Sequence, residues 1–385
     1  MAHFLVVGAG IGGLTTALAV RQAGHTAAVY EAAPELREAG AGLVLGANTL
    51  QGLQRLGLAD AVVALGEPLH GLTILDEAGR PLLEVDAAPF AARHFGTLTN
   101  VALRHAVLQQ LLLRQLPAGV VHTGKQFTHF SSVPTGIRAH FADGSTAEAD
   151  ALVAADGLHS QVRRQLVPAA QPRYAGYTCW RAVVDAAALN LPQTGRFRET
   201  WGRAGRFGYV PVGGGQVYWF AALNSAAAQN PRFIAFTAPD LRRHFASYHA
   251  PVPELLRLTC NEQLIWHDIV DLPPLRRYAH DHTLLLGDAA HATTPNLGQG
   301  AGQAVEDAVV LGQCLATAAR PEAAFQEFER RRLARTRRIS RRSWRVGQVA
   351  QWQHPALVAV RNAAMRLTPR FVTDWQTQFI YQTRF

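Results

Sequence analysis

Three stretches of this sequence set glycines beside a single carboxylate at spacings that suit ligand chemistry. The first is Gly8-Ala9-Gly10-Ile11-Gly12-Gly13, a GxGxxG run placed after an apolar segment and opening an Ala-rich one. Gly8 permits a tight turn, and Gly10 leaves room for a pyrophosphate against the backbone. Gly13 lets a helix pack closely on a strand, while the helix N-terminus offers N–H donors and a favourable dipole. Glu31 closes the next β-like run, where an acid can hold an adenosine ribose hydroxyl and would repel the ribose phosphate of NADP. The second stretch, DALVAADGLHSQVRR (150–164), runs a strand into Asp156-Gly157 before a helix start with Ser160 and Arg163. Asp-Gly is also a common turn pair. The third, LLLGDAAHATTPNLGQGAGQ (284–303), puts Asp288 at the mouth of an apolar strand and lets Pro295 fix the path onward. Gly298-Gln299-Gly300 then opens a helix through Ala301. An Asp N-cap and a glycine loop would account for each device alone, but not for the pair. A carboxylate accepts hydrogen bonds from sugar-alcohol hydroxyls, and a helix N-terminus stabilises negative charge on a flat ring. FAD has both parts: adenosine at Glu31, ribityl at Asp288 and isoalloxazine at Gly298–Ala301.

The elements that must position these residues are legible in outline. HFLVVGAGIGGLTTALAVRQAGHTAAVYE (3–31) reads strand, glycine turn, helix, strand. Helical periodicity marks 48–58 and 103–116, a hairpin is expected at 70–86 around Glu-Ala-Gly-Arg, and a short meander at 128–156. From Arg173 to about Leu272 the chain alternates apolar and polar residues in period two between Gly/Pro turns, which predicts an antiparallel sheet. Strand character ends at TLLLGD, and helix is expected from Gln299 almost to the end. The nucleotide fold is therefore expected to be interrupted by the sheet and completed after it.

Composition bounds the rest. At 385 residues the chain exceeds the size of one hydrophobic core, so two lobes are expected. The three cysteines, Cys179, Cys260 and Cys314, have no metal or redox spacing, which favours a reducing cytoplasm. Neither a signal peptide nor a transmembrane helix is expected, and no metal site. The net charge of +9 comes almost wholly from arginine, with Lys125 the one lysine. Much of it lies in RRRLARTRRISRRSWR (330–345), where Leu333, Ile339 and Val346 mark a thin apolar stripe. That helix reads as solvated or acid-paired, with an anionic partner or a membrane surface as the alternative. No nucleic-acid motif accompanies it.

Together the three motifs resemble the single-component flavin-dependent aromatic hydroxylases, the class A flavoprotein monooxygenases. GAGIGG, the Asp156-Gly157 pair and GDAAHATTPNLGQG (287–300) carry the likeness, with REAGAGLVLGANTLQGLQRLGL (37–58) and Arg104 also typical. The resemblance implies an α/β fold in which a Rossmann-like FAD-binding lobe (1–70, 100–165 and 276–320) is interleaved with an antiparallel-sheet substrate lobe (71–99 and 166–275), before C-terminal helices (321–385). It implies bound FAD, NAD(P)H as a transient co-substrate, and O2 activated as a C4a-hydroperoxide that hydroxylates a small aromatic or conjugated substrate. It adds Ala41, Gly42, Arg104 and Phe127 to the cofactor lining and Pro295 to the reaction site. YAGYTCWRAVV and GRFGYVPVGGGQVYWF look like the branch of urate hydroxylases, salicylate- and hydroxybenzoate-type hydroxylases and zeaxanthin epoxidases. There Arg206 and Tyr218 match an arginine and a tyrosine that hold urate, while Cys179 stands where urate hydroxylases have Asn. His291 reads as a packing histidine. Lys125 lacks the context of the related halogenases. A flavin reductase, an epoxidase or a non-catalytic FAD-binding partner module remain the alternatives.

Overall fold

The computed structural model of the chain describes residues 1–36, 41–96, 100–134, 136–189, 191 and 195–385. The strand His3–Val7 buries Phe4, Leu5 and Val6 completely, as a strand covered on both faces of a parallel sheet must. Its parallel neighbours are Thr26–Tyr30 and Ala151–Ala154, and Thr283–Leu285 pairs in turn with the latter. Val121–His122 adds a parallel edge and Ala279–His280 an antiparallel one, which completes six strands. The helices Ile11–Gln22 and Gly300–Thr317 pack on each other beside this sheet. The sheet that opens with the first residues is thus finished by residues near 285.

The second large sheet runs Ile265–Asp271, Arg173–Asp185, Gln216–Asn224, Arg206–Pro211, Arg196–Trp201, Gly71–Leu75 and Pro81–Asp86. All its pairs are antiparallel except Arg196–Trp201 with Gly71–Leu75. Period-two alternation divides its faces. Trp180, Ala182, Val184, Phe207, Trp219 and Leu223 turn to one side, where Leu241, Phe245, Leu255 and Leu256 cover them. Those last four belong to Ala238–His244 and Val252–Arg257, or follow directly from them; with Pro231–Ile234 these helices correct the expectation of sheet alone across 173–272. Each carries Pro within its first turn, a residue that reads as a break in sequence yet is pre-set for a helix start.

The hairpin forms over Gly71–Leu75 and Pro81–Asp86, and the meander over Phe127–Val133, Gly136–Phe141 and Thr146–Ala149. The helix expected from residue 103 starts at His105, because Leu103 and Arg104 pair as strand with Leu43 and Gly42. Helices Pro321–Ala350, Pro355–Arg366 and Arg370–Tyr381 end the chain. Among the described residues no helix is long and apolar enough to cross a membrane.

Candidate cofactor and substrate site

At the glycine turn, Gly8 has φ +99°, and a Cβ there would lie 2.5 Å from the Ala155 carbonyl oxygen. A side chain at Gly13 would overlap the Gly8 carbonyl, so strand and helix touch through bare backbone. Gly10 caps the helix in an extended conformation with open space where its Cβ would be, leaving the helix N-terminus unobstructed. Gly12 instead faces Ala304 of the later helix. The Glu31 carboxylate accepts from Ala9 N at 2.8 Å and Ala33 N at 2.9 Å, and each oxygen keeps a lone pair for a sugar hydroxyl. Gln109, given no role by the sequence, donates to Ala9 O at 2.8 Å and braces the same turn.

Asp156 accepts from Gln161 N at 2.8 Å through Oδ2, while its Oδ1 is buried without a partner among the described residues. Burial raises its carboxyl above the ordinary range, against the Ser160 hydroxyl. Gly157 follows at φ +77° with open space around it. Arg163 is buried and donates to Ala289 O at 3.0 Å and Leu158 O at 2.5 Å, stapling the Asp156-Gly157 turn to the Asp288 stretch. The sequence showed this arginine but no reason to choose it.

Asp288 opens the short helix Asp288–His291 and is reachable by solvent, although the protein packed around it raises its carboxyl pKa against His291 and Arg163. His291 is buried and bonded to Asp307 Oδ2 at 2.6 Å, the oxygen that also accepts from Gly287 N at 3.0 Å. Pro295–Leu297 forms one 3-10 turn. Gly298, at φ +61°, donates to Pro295 O at 2.9 Å, and Gln299 caps the helix that starts at Gly300 and continues through the half-buried Ala301. The space around Gly298 and Gly300 is open.

Behind that loop lies a buried polar network. Asn48 Nδ2 donates to Gln299 Oε1 at 2.9 Å and Glu306 Oε1 at 2.6 Å, and Gln303 reaches both as well. Arg332 binds Glu306 Oε2 at 2.5 Å and Asp307 Oδ1 at 2.6 Å, and Arg335 doubles the hold on Glu306. Burial pushes both carboxyls up, but Arg332 and Arg335 bring Glu306 down to about 2, and His291 and Arg332 bring Asp307 to about 2. The arginine-rich helix is therefore acid-paired on its inner side.

The second large sheet presents three rows of register partners on the face opposite Trp180: Cys179, Ala222 and Arg206; Arg181, Phe220, Gly208 and Glu199; Val183, Tyr218 and Val210. Arg206 is buried, with Nε donating to Glu199 Oε1 at 2.7 Å and Nη1 to Asn296 Oδ1 at 2.7 Å. Asn296 also donates to Tyr177 OH at 3.0 Å and directly follows Pro295. Sheet and glycine loop thus meet at Arg206. Burial raises the Tyr218 phenol well above its usual value, with Arg181 opposing, so the hydroxyl keeps its proton. A Cβ at Gly42 would sit 2.5 Å from the Tyr218 ring, and Ala41 packs in the same cluster. Arg104 pairs with Gly42 in register, its Nε buried without a partner among the described residues. Phe127 lies elsewhere: its side chain is buried in the core of the first sheet. Neither Asn296 nor Arg181 was singled out in sequence. Among the described residues no cluster could hold a metal ion.

The open glycine cradle, the orphaned Asp156 oxygen and the unpartnered Arg104 nitrogen fit an extended, anionic dinucleotide. Comparison with known proteins agrees. The model of the FAD-binding-domain family matches residues 1–343. The chain is 36% identical over 375 residues to aurachin C monooxygenase/isomerase of Stigmatella aurantiaca, covering 97% of this chain and 96% of that protein. It is 31% identical over 366 residues to 2-heptyl-3-hydroxy-4(1H)-quinolone synthase of Pseudomonas aeruginosa, covering 95% and 94%. The solved structure of Klebsiella pneumoniae HpxO complexed with FAD and uric acid superposes with a TM-score of 0.89 at 30% identity, over 98% of this chain and 96% of that one. The chain belongs to the FAD-dependent class A monooxygenases, the aromatic-hydroxylase family.

Proposed function

We propose that the protein consumes NAD(P)H and O2 to hydroxylate a small aromatic or conjugated ring held between the Tyr218–Arg206 sheet face and the Pro295–Ala301 loop. The observation that carries this reading is the Arg206–Asn296 hydrogen bond of 2.7 Å, which brings the substrate sheet to the loop proposed for the flavin ring. FAD, when bound, supplies the oxygen chemistry, so this chain needs no nucleophile or metal of its own. Its residues bind and orient. Glu31 takes the adenosine ribose, the Gly8–Gly13 turn the pyrophosphate, Asp288 the ribityl hydroxyls and the N-terminus of the Gly300–Thr317 helix the electron-rich edge of the ring. Asp156 Oδ1 and Arg104 Nε each offer the dinucleotide a polar atom that has no partner among the described residues. Pro295 shapes the turn beside the reacting atoms.

Toward the substrate, Tyr218 donates a hydrogen bond from a hydroxyl that stays protonated. Arg206 is already paired with Glu199, so together they offer a nearly neutral donor surface suited to a carbonyl or phenol oxygen rather than a free anion site. Cys179 and Ala222 make the row beside Arg206 apolar. That favours a ring with an apolar substituent over urate, in keeping with the heptyl-quinolone in one relative's name. The three free cysteines suit a reducing cytoplasm.

Anaerobic stopped-flow reduction by NADH and by NADPH, across phenols, aromatic acids, purines and alkyl-4-quinolones, tests this. Acceleration by one compound, followed in air by a product one oxygen heavier, is the expected result. Reduction without any oxygenated product across the panel would turn the reading to a flavin reductase, and an epoxide product would move it to the epoxidase branch.

A further inference from the structure

The last two long helices carry apolar side chains on the wrong side for packing. In Pro355–Arg366, Val358 and Arg361 point inward, and Arg361 anchors the helix by donating to Trp201 O at 2.9 Å and Ala350 O at 3.1 Å. Leu357, Val360 and Leu367 recur at helical spacing on the outer side, Leu367 with 79% of its surface exposed. In Arg370–Tyr381, Thr373 and Thr377 are the buried positions, while Phe371 (73% exposed) and Trp375 (55%) face outward one turn apart. Soluble surfaces carry such residues singly; a contiguous group marks an interaction site.

Charge surrounds this group. Asp374 is the one acid between Pro355 and Tyr381; of the arginines there, Arg361 points inward and Arg366 pairs with Asp76 at 2.9 Å, while Arg370 is exposed with no acid partner among the described residues. The Arg342 guanidinium lies 4.4 Å from the Trp375 ring and 3.9 Å from that of Phe379, which joins the arginine-rich helix to the patch. Arg338 and Arg345, both exposed, fall on the same side of that helix as Arg342. Unlike Arg332 and Arg335, they have no acid partner among the described residues that would spend their charge inside the protein.

We propose that this face docks the protein on anionic lipid surfaces, with Leu367, Phe371 and Trp375 in the interfacial layer and Arg338, Arg342, Arg345 and Arg370 over the phosphates. Aromatic and leucine side chains on one face with arginines flanking them is the composition of interfacial helices, and each arginine near an anionic leaflet adds to binding. A second copy of the chain fits worse. A two-fold contact would set the patch on its own image and bring those arginines against each other with only Asp374 to offset them. The proposal stands on the surface alone and holds whichever substrate the enzyme takes.

The test uses the full-length, FAD-loaded protein and flotation with two kinds of vesicle, pure phosphatidylcholine and phosphatidylcholine mixed with phosphatidylglycerol. Binding is expected to the mixed vesicles only, and to fall steeply as salt rises. A Leu367→Ser/Phe371→Ser variant should bind at least about tenfold more weakly, since both side chains lose their apolar burial. Arg338→Gln and Arg345→Gln should each weaken it by about fivefold. Flavin content and melting temperature of these surface variants should match the parent. No binding, equal binding to both vesicle types, or a concentration-dependent dimer abolished by the double variant would each overturn the proposal, the last in favour of a second copy.

Discussion

In the proposed function Asp288 serves the cofactor and Arg206 the substrate, so removing each in turn separates the two. Asp288 is solvent-reachable and, among the described residues, accepts no hydrogen bond from a side chain that its loss would orphan. Asp288→Ala should therefore fold normally and hold FAD roughly ten- to a hundredfold more weakly, the scale of hydrogen bonds to a charged group. Retention of full flavin absorbance through gel filtration would remove Asp288 from the cofactor site. Arg206 needs a different design, because Arg206→Ala alone would leave Glu199 buried and uncompensated. The pair Arg206→Met with Glu199→Gln removes both charges. It should keep its flavin and raise KM for the substrate by about tenfold or more; an unchanged KM would return Arg206 to a packing role. What the sequence displayed at this scale were residues close together along the chain: Gly8 to Gly13, Asp156-Gly157, Asp288 to Gly300. Gln109, Asn48 and Arg163 escaped because each acts on a partner far away in sequence, and a polar side chain on a helix looks the same whether it meets solvent or a distant carbonyl.

Among the elements, the helix Pro321–Ala350 does two jobs that its arginine count concealed. Its first half supplies Arg332 and Arg335 to Glu306. Its second half presses Gly347 against the loop of Pro295: a Cβ at Gly347 would collide with Asn296 Nδ2. Asn296 is held by Tyr177, Thr294 and the Ser343 carbonyl, so it cannot swing aside freely. Gly347→Ala is expected to cost about 1–3 kcal/mol through overpacking and to raise KM while FAD stays bound. Parallel loss of flavin would place the collision at the cofactor instead. Period-two and helical patterns exposed most strands and long helices, whereas the helices between Pro231 and Arg257 were hidden by prolines that also read as turns.

At the scale of the whole molecule, Glu306 and Asp307 tie the arginine-rich helix to the helix Gly300–Thr317 beside the first sheet. Their folded pKa values, about 2 each, lie below the ordinary 4.5 and 3.8. A depressed carboxyl stabilises the fold above its unfolded pKa, so this contribution is complete above about pH 4.5 and is lost as pH falls toward about 2. Arg332→Met removes one charged donor from both carboxylates, leaving Glu306 with Arg335 and Asp307 with His291, and should destabilise by about 1.5–3 kcal/mol at neutral pH. The gap to the parent should narrow in acid, where protonation relieves the weakened pairing; urea unfolding across pH measures it, and a gap that ignores pH would sink the account. The same ties have a consequence for biosynthesis. Thr283–Leu285 joins a sheet begun at His3–Val7, and Asn48 finds its partners only at Gln299 and Glu306. A nascent chain emerging from the ribosome therefore carries the outer edge of Ala151–Ala154 unpaired until Thr283–Leu285 has been made, and Asn48 without its partners until Glu306 has. A strand edge left open over that span of synthesis invites wrong pairing, and truncation anywhere before Arg332 leaves a product without its closing contacts.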